Sequence, residues 1–403
     1  MRIIFIYIFL FLLLYFEHEQ IGFITFSQLW KIPLFVYLMF QVFIIRKSKK
    51  LVFVKWSYAR AGKNLINGGV FLNYFFEVVD FIRYMMFPLM FEYISFKIKD
   101  LKRLDLLLLG FAQFVILSGI PFVIGVVESR VDAFQFDDFT SYTGVFQGAH
   151  AAAITTTVSI LIILYFLKVK SQSIRFPKIQ YLIVLFGIYL LYLTFVRTGY
   201  AMFVVGLFVL YIPQNLNVKQ IIGSVFVLLI VSFGFNYLLE TNELFYNRIF
   251  DIRNGQQTSV GSGRLVFWEA AVDLWLNGNY FQLLFGHGFE GLTQKMYDVT
   301  GLRIYAHNEF FTQLGQNGLL GVFFFIGYLF SLFKFIRIRR KEGSYRLALT
   351  VFALYVSLMV TQGGMWFPMD VFMVLIFVKL ELESKLNKRL KNNAKTHIFR
   401  NRV

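Results

Sequence analysis

Apolar residues in this chain arrive in unbroken blocks, not in alternation. The blocks are Ile3–Phe16, Leu29–Ile45, Val70–Phe96, Leu104–Val127, Val145–Leu167, Ile179–Val196, Tyr200–Ile212, Val218–Leu239, Phe310–Phe335, Leu347–Gly363 and Asp370–Leu382. Runs of this length suit helices that cross hydrocarbon, whereas barrel strands would alternate and be shorter. One segment, Glu240–Ala306, stays polar over a length that connections seldom reach unless they are functional or disordered. Within it Leu265, Phe267, Trp268, Ala271, Val272 and Trp275 recur at helical spacing, with Glu269 and Asp273 opposite. That pattern predicts an amphipathic helix, lying on the outer leaflet or capping a cavity.

Composition makes the bilayer the required solvent. Of 403 residues 58% are hydrophobic and 20% aromatic, with a mean hydropathy of +0.63, more apolar surface than a soluble fold can hide. The expected class is an all-α polytopic integral membrane protein, with about 10–12 transmembrane helices and one large periplasmic loop. The formal charge of +17 does not indicate nucleic acid, because the cations gather at helix ends, in Arg46–Lys50, Lys97–Arg103, Lys168–Lys178, Lys334–Arg346 and Lys385–Arg402. Such clusters mark cytoplasmic ends and contacts to anionic lipid. With them inside, Glu128–Gly144, Arg197–Tyr200 and Glu240–His307 face outward. The N-terminal quarter does not close. Either Leu51–Asn67 hides a poor crossing, or Val70–Phe96 is re-entrant or split at Pro88. The resulting division is membrane helices over 1–239, the loop 240–308, membrane helices over 309–384 and a basic cytoplasmic tail 385–403. Met1-Arg2 and the apolar run after it lack a small-x-small cleavage site and read as an uncleaved first helix.

Cysteine is absent, which excludes disulfides, thiolate metal sites and cysteine nucleophiles. Adjacent Asp137 and Asp138 diverge on an extended chain, no HExxH pattern occurs, and no metal or other cofactor is expected. Of the five histidines only His397 falls inside. His307 is the best base, standing beside Asn308 and Glu309 where the long loop meets the next helix; alternatively it caps that helix. Arg197, in FVRTGY, sits between two helices at the outer boundary, with Thr198-Gly199 as a tight turn. An arginine there either faces a polar cavity or snorkels to lipid phosphate. The run Ser259–Arg264 opens the amphipathic helix with small residues, free N–H groups and a guanidinium fork, a candidate diphosphate cradle in which Gly263 and Arg264 take part. It is not a Walker loop, lacking the lysine and the hydroxyl after it. Arg248, Trp268 and His287 are further candidate substrate contacts, as are Asn308 and Glu309. Glycines flanking His287 in FGHGF suggest a bend that brings backbone close to something, most simply a loop turn. Glu77, Asp80 and Arg83 form one charged stripe, read as mutual pairing inside the bundle or as an ion path.

Arg197 in its turn, GSGRLVFW, the FGHGF turn and AHNEFFTQLGQNGLLG together resemble the O-antigen polymerase and O-antigen ligase superfamily, across about Ile179–Ile336. The resemblance implies a metal-independent glycosyltransferase of the bacterial inner membrane, working on its periplasmic face on a glycan linked to undecaprenyl diphosphate. Arginines matching Arg197 and Arg264 would bind the diphosphate, and the histidine matching His307 would assist the attacking hydroxyl. It assigns no role to Glu309, Arg248 or His287. Membrane lipid, a chain-length regulator and a flippase are candidate partners. A polymerase is expected, because the loop is too small for a separate acceptor domain; a ligase transferring finished glycan to lipid A core is the alternative. A transporter or flippase is a third reading, supported by the charged stripe but not by duplicated halves.

Overall fold

The computed structural model describes residues 2–16, 20–21, 24–45, 54–60, 62–63, 74–128, 141–146, 148–169, 176–211, 264–363 and 367–400, with isolated positions at 174 and between 237 and 257. Helices dominate: α1 (Arg2–Tyr15), α2 (Phe26–Ile45), α3 (54–60), α4 (Tyr74–Lys97), α5 (Leu101–Leu117), α6 (Ile120–Val123), α7 (Ala149–Lys168), α8 (Pro177–Leu193), α9 (Arg197–Tyr211), α10 (Arg264–Leu276), α11 (Tyr280–Phe285), α12 (Gly288–Thr300), α13 (Glu309–Arg337), α14 (Tyr345–Thr361) and α15 (Phe367–Arg400). The strands are two antiparallel pairs of two-residue segments, Gln20–Ile21 with Ile24–Thr25 and Ile252–Arg253 with Gln256–Gln257. Among the described residues Leu101–Val123, Ala149–Lys168 and Glu309–Arg337 are long and apolar enough to cross a membrane, and four shorter apolar helices accompany them. The fold is that of an all-α polytopic membrane protein.

α7 is the axis of the bundle. Nearly every side chain from Ala152 to Phe166 is buried, as expected of a helix apolar all round. It packs on α5, α8 and α9. Two of its hydroxyls bond within the helix, Thr155 donating to the Ala151 carbonyl at 2.7 Å and Ser159 to the Thr155 carbonyl at 2.8 Å, while Thr157 donates to the Gly199 carbonyl of α9 at 3.4 Å. Small residues then allow close crossing. A side chain at Gly199 of α9 would stand 2.7 Å from Ala153 Cβ, so glycine there lets the start of α9 press against α7.

Several elements differ from expectation in instructive ways. The span expected at Leu104–Val127 is two helices, α5 and the short α6, because Pro121 cannot continue the backbone ladder and Gly119 must pass close to Leu190. The turn before α9 is made by Thr194–Val196, with Phe195 at φ 52°; Thr198 and Gly199 are already helical. The last span and the tail form one continuous helix, α15. α4 runs through Pro88 without ending. The segment left ambiguous, Leu51–Asn67, contributes α3, which lies inside the bundle. Its Trp56 ring packs on Phe323 and Phe324 of α13 and would meet any side chain at Gly327, while Lys63 reaches Asn317 ten positions up that helix. Val54, Ser57, Arg60 and Lys63 are all buried. The side chains of Glu77 and Asp80 lie outside the described residues, as do Asp137 and Asp138 and the span Val218–Leu239 except Tyr237.

Candidate active site

From Arg264 on, the long polar segment folds onto the N-terminal half of α13 as a small helical cap, α10 to α12. A helix stands where the amphipathic one was expected, as α10, but its apolar residues are spread around it instead of forming one stripe. Phe267, Trp268, Ala270, Ala271 and Leu274 face Leu292, Met296, Ala306 and Phe311, whereas Leu265 is 48% exposed. Trp268 stacks on Phe311 at 5.3 Å between ring centroids. Glu269 and Asp273 are exposed, and Asp273 pairs with Lys295 at 2.6 Å. The helix therefore leans on protein with Phe267 and Trp268, and its first residue, Arg264, ends beside His307.

The FGHGF turn reveals what its glycines serve. Gly286 has φ +81° and Gly318, inside α13, has φ +61° and ψ −163°. Each touches the other's backbone. A Cβ on Gly286 would lie 2.3 Å from the Gln316 carbonyl oxygen, and one on Gly318 would lie 2.6 Å from the Gly286 nitrogen. The α13 helix is broken at Gly318 so that the turn can dock into the break, and the His287 N–H donates to the Gly315 carbonyl there at 2.9 Å. The His287 ring is enclosed by Gly278, Gly291 and the Leu274 carbonyl, to which it donates. Burial holds its pKa below the ordinary histidine value, with that hydrogen bond opposing. Its surroundings are those of packing.

His307 is the second strained residue of the site. Its φ is +50°, a left-handed conformation that costs a non-glycine residue roughly 1–2 kcal/mol. Asn308 follows as the N-cap of α13, its side-chain oxygen accepting from the Phe310 N–H at 2.9 Å. Gly363, at φ +64°, packs on the Asn308 backbone, where a Cβ would sit 3.1 Å from its nitrogen. The His307 ring lies 5.6 Å from the Phe267 ring and donates one N–H to the Gln362 carbonyl. Burial lowers its pKa below the ordinary value, and the neighbouring Arg264 charge lowers it further; the Gln362 hydrogen bond acts in the opposite sense. Burial and Arg264 together thus favour the neutral imidazole over the imidazolium, and the Gln362 carbonyl engages one ring nitrogen, leaving the other suited to accept a proton.

Arg197 opens α9, and its neighbour joins it to the same place through two residues that sequence reasoning did not select. The Thr198 hydroxyl lies 3.5 Å from His150 Nδ1, and the Gln362 side-chain amide lies 2.8 Å from that same nitrogen. Since Gln362 supplies the amide to His150 and the carbonyl to His307, one residue ties the α7–α9 corner to the α13 N-terminus. Position 362, at the end of an apolar helix, gave no signal in the sequence.

Glu309 points the other way, into the bundle. It forms a buried ion pair with Arg60 and accepts hydrogen bonds from Tyr84 at 3.0 Å and Gln313 at 2.9 Å. The ladder continues from Gln313 to Asn317 at 3.0 Å, from Asn317 to Lys63 at 2.6 Å, and from Lys63 to the Phe285 carbonyl at 3.1 Å. The Arg60 guanidinium also lies 3.9 Å from the Tyr84 ring centroid. Glu309 is thus committed to anchoring α13. The stripe Glu309, Gln313, Asn317 follows a spacing of four and was readable as one polar helix face. Its partners Arg60 and Lys63 were not, because they come from a distant helix.

Of the residues selected from sequence, Arg264, His307, Asn308 and Trp268 gather around the N-terminus of α13. His287 packs beneath them at the Gly318 break, and Arg197 is joined through Thr198. Arg248 and Gly263 lie outside the described residues. No group of three or more His, Asp or Glu side chains able to hold a metal ion occurs among the described residues. A comparison of the chain with curated proteins finds no match. Residues 182–326, from α8 to the middle of α13, match the family model described as O-antigen ligase, and that match supports the O-antigen ligase and polymerase superfamily for this chain.

Proposed function

We propose that this protein polymerises undecaprenyl-diphosphate-linked oligosaccharide repeat units into a surface polysaccharide, on the periplasmic face of the inner membrane. The superfamily points to lipid-linked glycan processing in general. The observation that supports the finer reading is the placement of His307, oriented by the Gln362 backbone, beside the Arg264 guanidinium at the N-terminus of α13. In the reaction a sugar hydroxyl attacks the anomeric carbon while its bond to the diphosphate breaks. His307 takes the hydroxyl proton on its uncommitted nitrogen, and the departing diphosphate leaves against Arg264 and Arg197. A base so placed contributes about 10²–10⁴-fold. A preorganised cation facing the developing charge contributes about 3–4 kcal/mol. Direct displacement inverts the anomeric centre and requires no metal. The left-handed backbone of His307 favours the same reading, since strained residues persist where surrounding structure holds them for a purpose.

The test is the glycan profile of cells carrying His307→Ala beside wild type and a deletion, with the protein confirmed in the membrane. Single repeat units on the carrier or surface, with long chains gone, are expected. Long chains that accumulate on the carrier but never reach their acceptor would make the protein a ligase. An unchanged profile in both strains would remove the glycosyltransferase reading and favour a transporter.

A further inference from the structure

Far from His307, at the opposite end of α4, the structure contains a cavity of about 400 Å³ between the α4–α5 connection and α15. Its apolar wall is Ile98, Val378, Leu382 and Leu386, and its rim carries Lys99, Lys385 and Arg389. Glu381 is the one carboxylate lining it, and that carboxylate already pairs with Arg339 as well as with Lys385 at 3.2 Å. Among the described residues neither Lys99 nor Arg389 has a carboxylate partner. Lys99 instead donates to the Ser95 carbonyl. The cavity lies where α15 changes character: Phe372 to Val378 is buried and apolar, Lys379 is buried and paired with Asp105 and Glu383, and from Lys385 the helix is charged and largely exposed. An excess of positive charge over an apolar wall at that boundary matches a molecule with an anionic head and a hydrocarbon tail.

We infer that this groove binds an anionic phospholipid, its phosphate held by Lys99, Lys385 and Arg389 and an acyl chain lying along Val378, Leu382 and Leu386. Burial, followed by the charges of Lys385 and Arg389, lowers the Lys99 pKa. A bound phosphate would relieve that repulsion. The basic ends of neighbouring elements, Lys97–Arg103 and the start of the tail, place the groove in the leaflet where anionic lipid meets positive protein. The inference stands whether the outer site polymerises or ligates glycan.

The experiment titrates phosphatidylglycerol, and separately phosphatidylcholine, onto the purified full-length chain in detergent and reads bound lipid by native mass spectrometry. Phosphatidylglycerol should bind at least tenfold tighter. Lys99→Gln with Arg389→Gln should weaken it roughly thirty-fold, at about 1 kcal/mol per basic contact. Lys388→Gln with Lys391→Gln, which removes equal charge from α15 outside the groove, should change it less than twofold. Leu386→Trp, which fills the apolar wall and keeps the rim, should also abolish binding, and it serves if the double variant fails to fold. Equal binding of the two lipids, an equal loss in the Lys388/Lys391 control, or full binding by Leu386→Trp would overturn the site. Displacement of the lipid by millimolar inorganic phosphate would reassign it to a free anion.

Discussion

Arg60→Ala tests whether the buried ladder holds the N-terminal end of α13, where the proposed base His307 stands. The Arg60 and Glu309 side chains are 3% and 2% exposed, so removing the guanidinium takes this countercharge from a carboxylate that meets almost no water. Deleting one partner of a buried pair costs about 3–5 kcal/mol. Tyr84 and Gln313 continue to donate to the carboxylate, which argues for about 3 kcal/mol. Loss of the cation–π contact at 3.9 Å from Tyr84 acts in the opposite direction, adding to the cost. Replacing both partners by apolar or neutral residues of similar shape, Arg60→Met with Glu309→Gln, removes the uncompensated charge and should recover most of the loss. The assay is unfolding in mixed micelles titrated with sodium dodecyl sulfate, run on wild type, both single variants and the double. Glycan profiles of the same strains report whether His307 keeps its place. Polymer should fall in Arg60→Ala and return at least partly in the double variant. A double variant that loses the sum of the two single losses, with no coupling beyond about 0.5 kcal/mol, would refute the argument that this pair acts as a unit.

Gly286→Ala forces a Cβ into α13 backbone at a left-handed residue; strain and overpacking together predict about 2–5 kcal/mol of destabilisation, read by the same titration, and Gly301→Ala, with open space around it, should cost only the strain. Because the folded pKa of His307 is depressed, activity and its share of stability should hold above the ordinary histidine pKa and fall as pH drops through the folded value. Arg264→Gln removes a like charge and should therefore move the acid limb of the pH–rate profile upward; a limb that stays put or moves down would dissociate the two residues. A reporter fused after Lys295 should read the periplasm, and a cytoplasmic signal there would overturn the proposed topology.

Much of the architecture was legible because hydrocarbon imposes a simple rule on sequence. Backbone groups in a bilayer must be satisfied within a helix, so apolar length reports helices able to cross, as it does for α7 and α13. The polar interruption at 240–308, the helix beginning at Arg264 and the special character of the His307 junction followed from the same local reading. Local sequence also flagged the glycines around His287 as a site of close approach, though not what approaches.

Tertiary structure alone decided the rest, for reasons that composition cannot encode. Gly286 meets the backbone of Gln316 and Asn317, and Glu309 meets Arg60, each on an element remote in sequence. The face by which α10 packs depends on where α12 and α13 stand, so Leu265 is exposed despite its place in the apolar pattern. Gln362 joins His150 to His307 because the C-terminus of α14 ends between them, and a single glutamine after an apolar helix carries no sign of that position. Helices are determined residue by residue through local hydrogen bonds, whereas a site is determined by which helices share an interior. The sequence therefore determined that this chain is a membrane helix bundle, and only packing decided which of its charges meet.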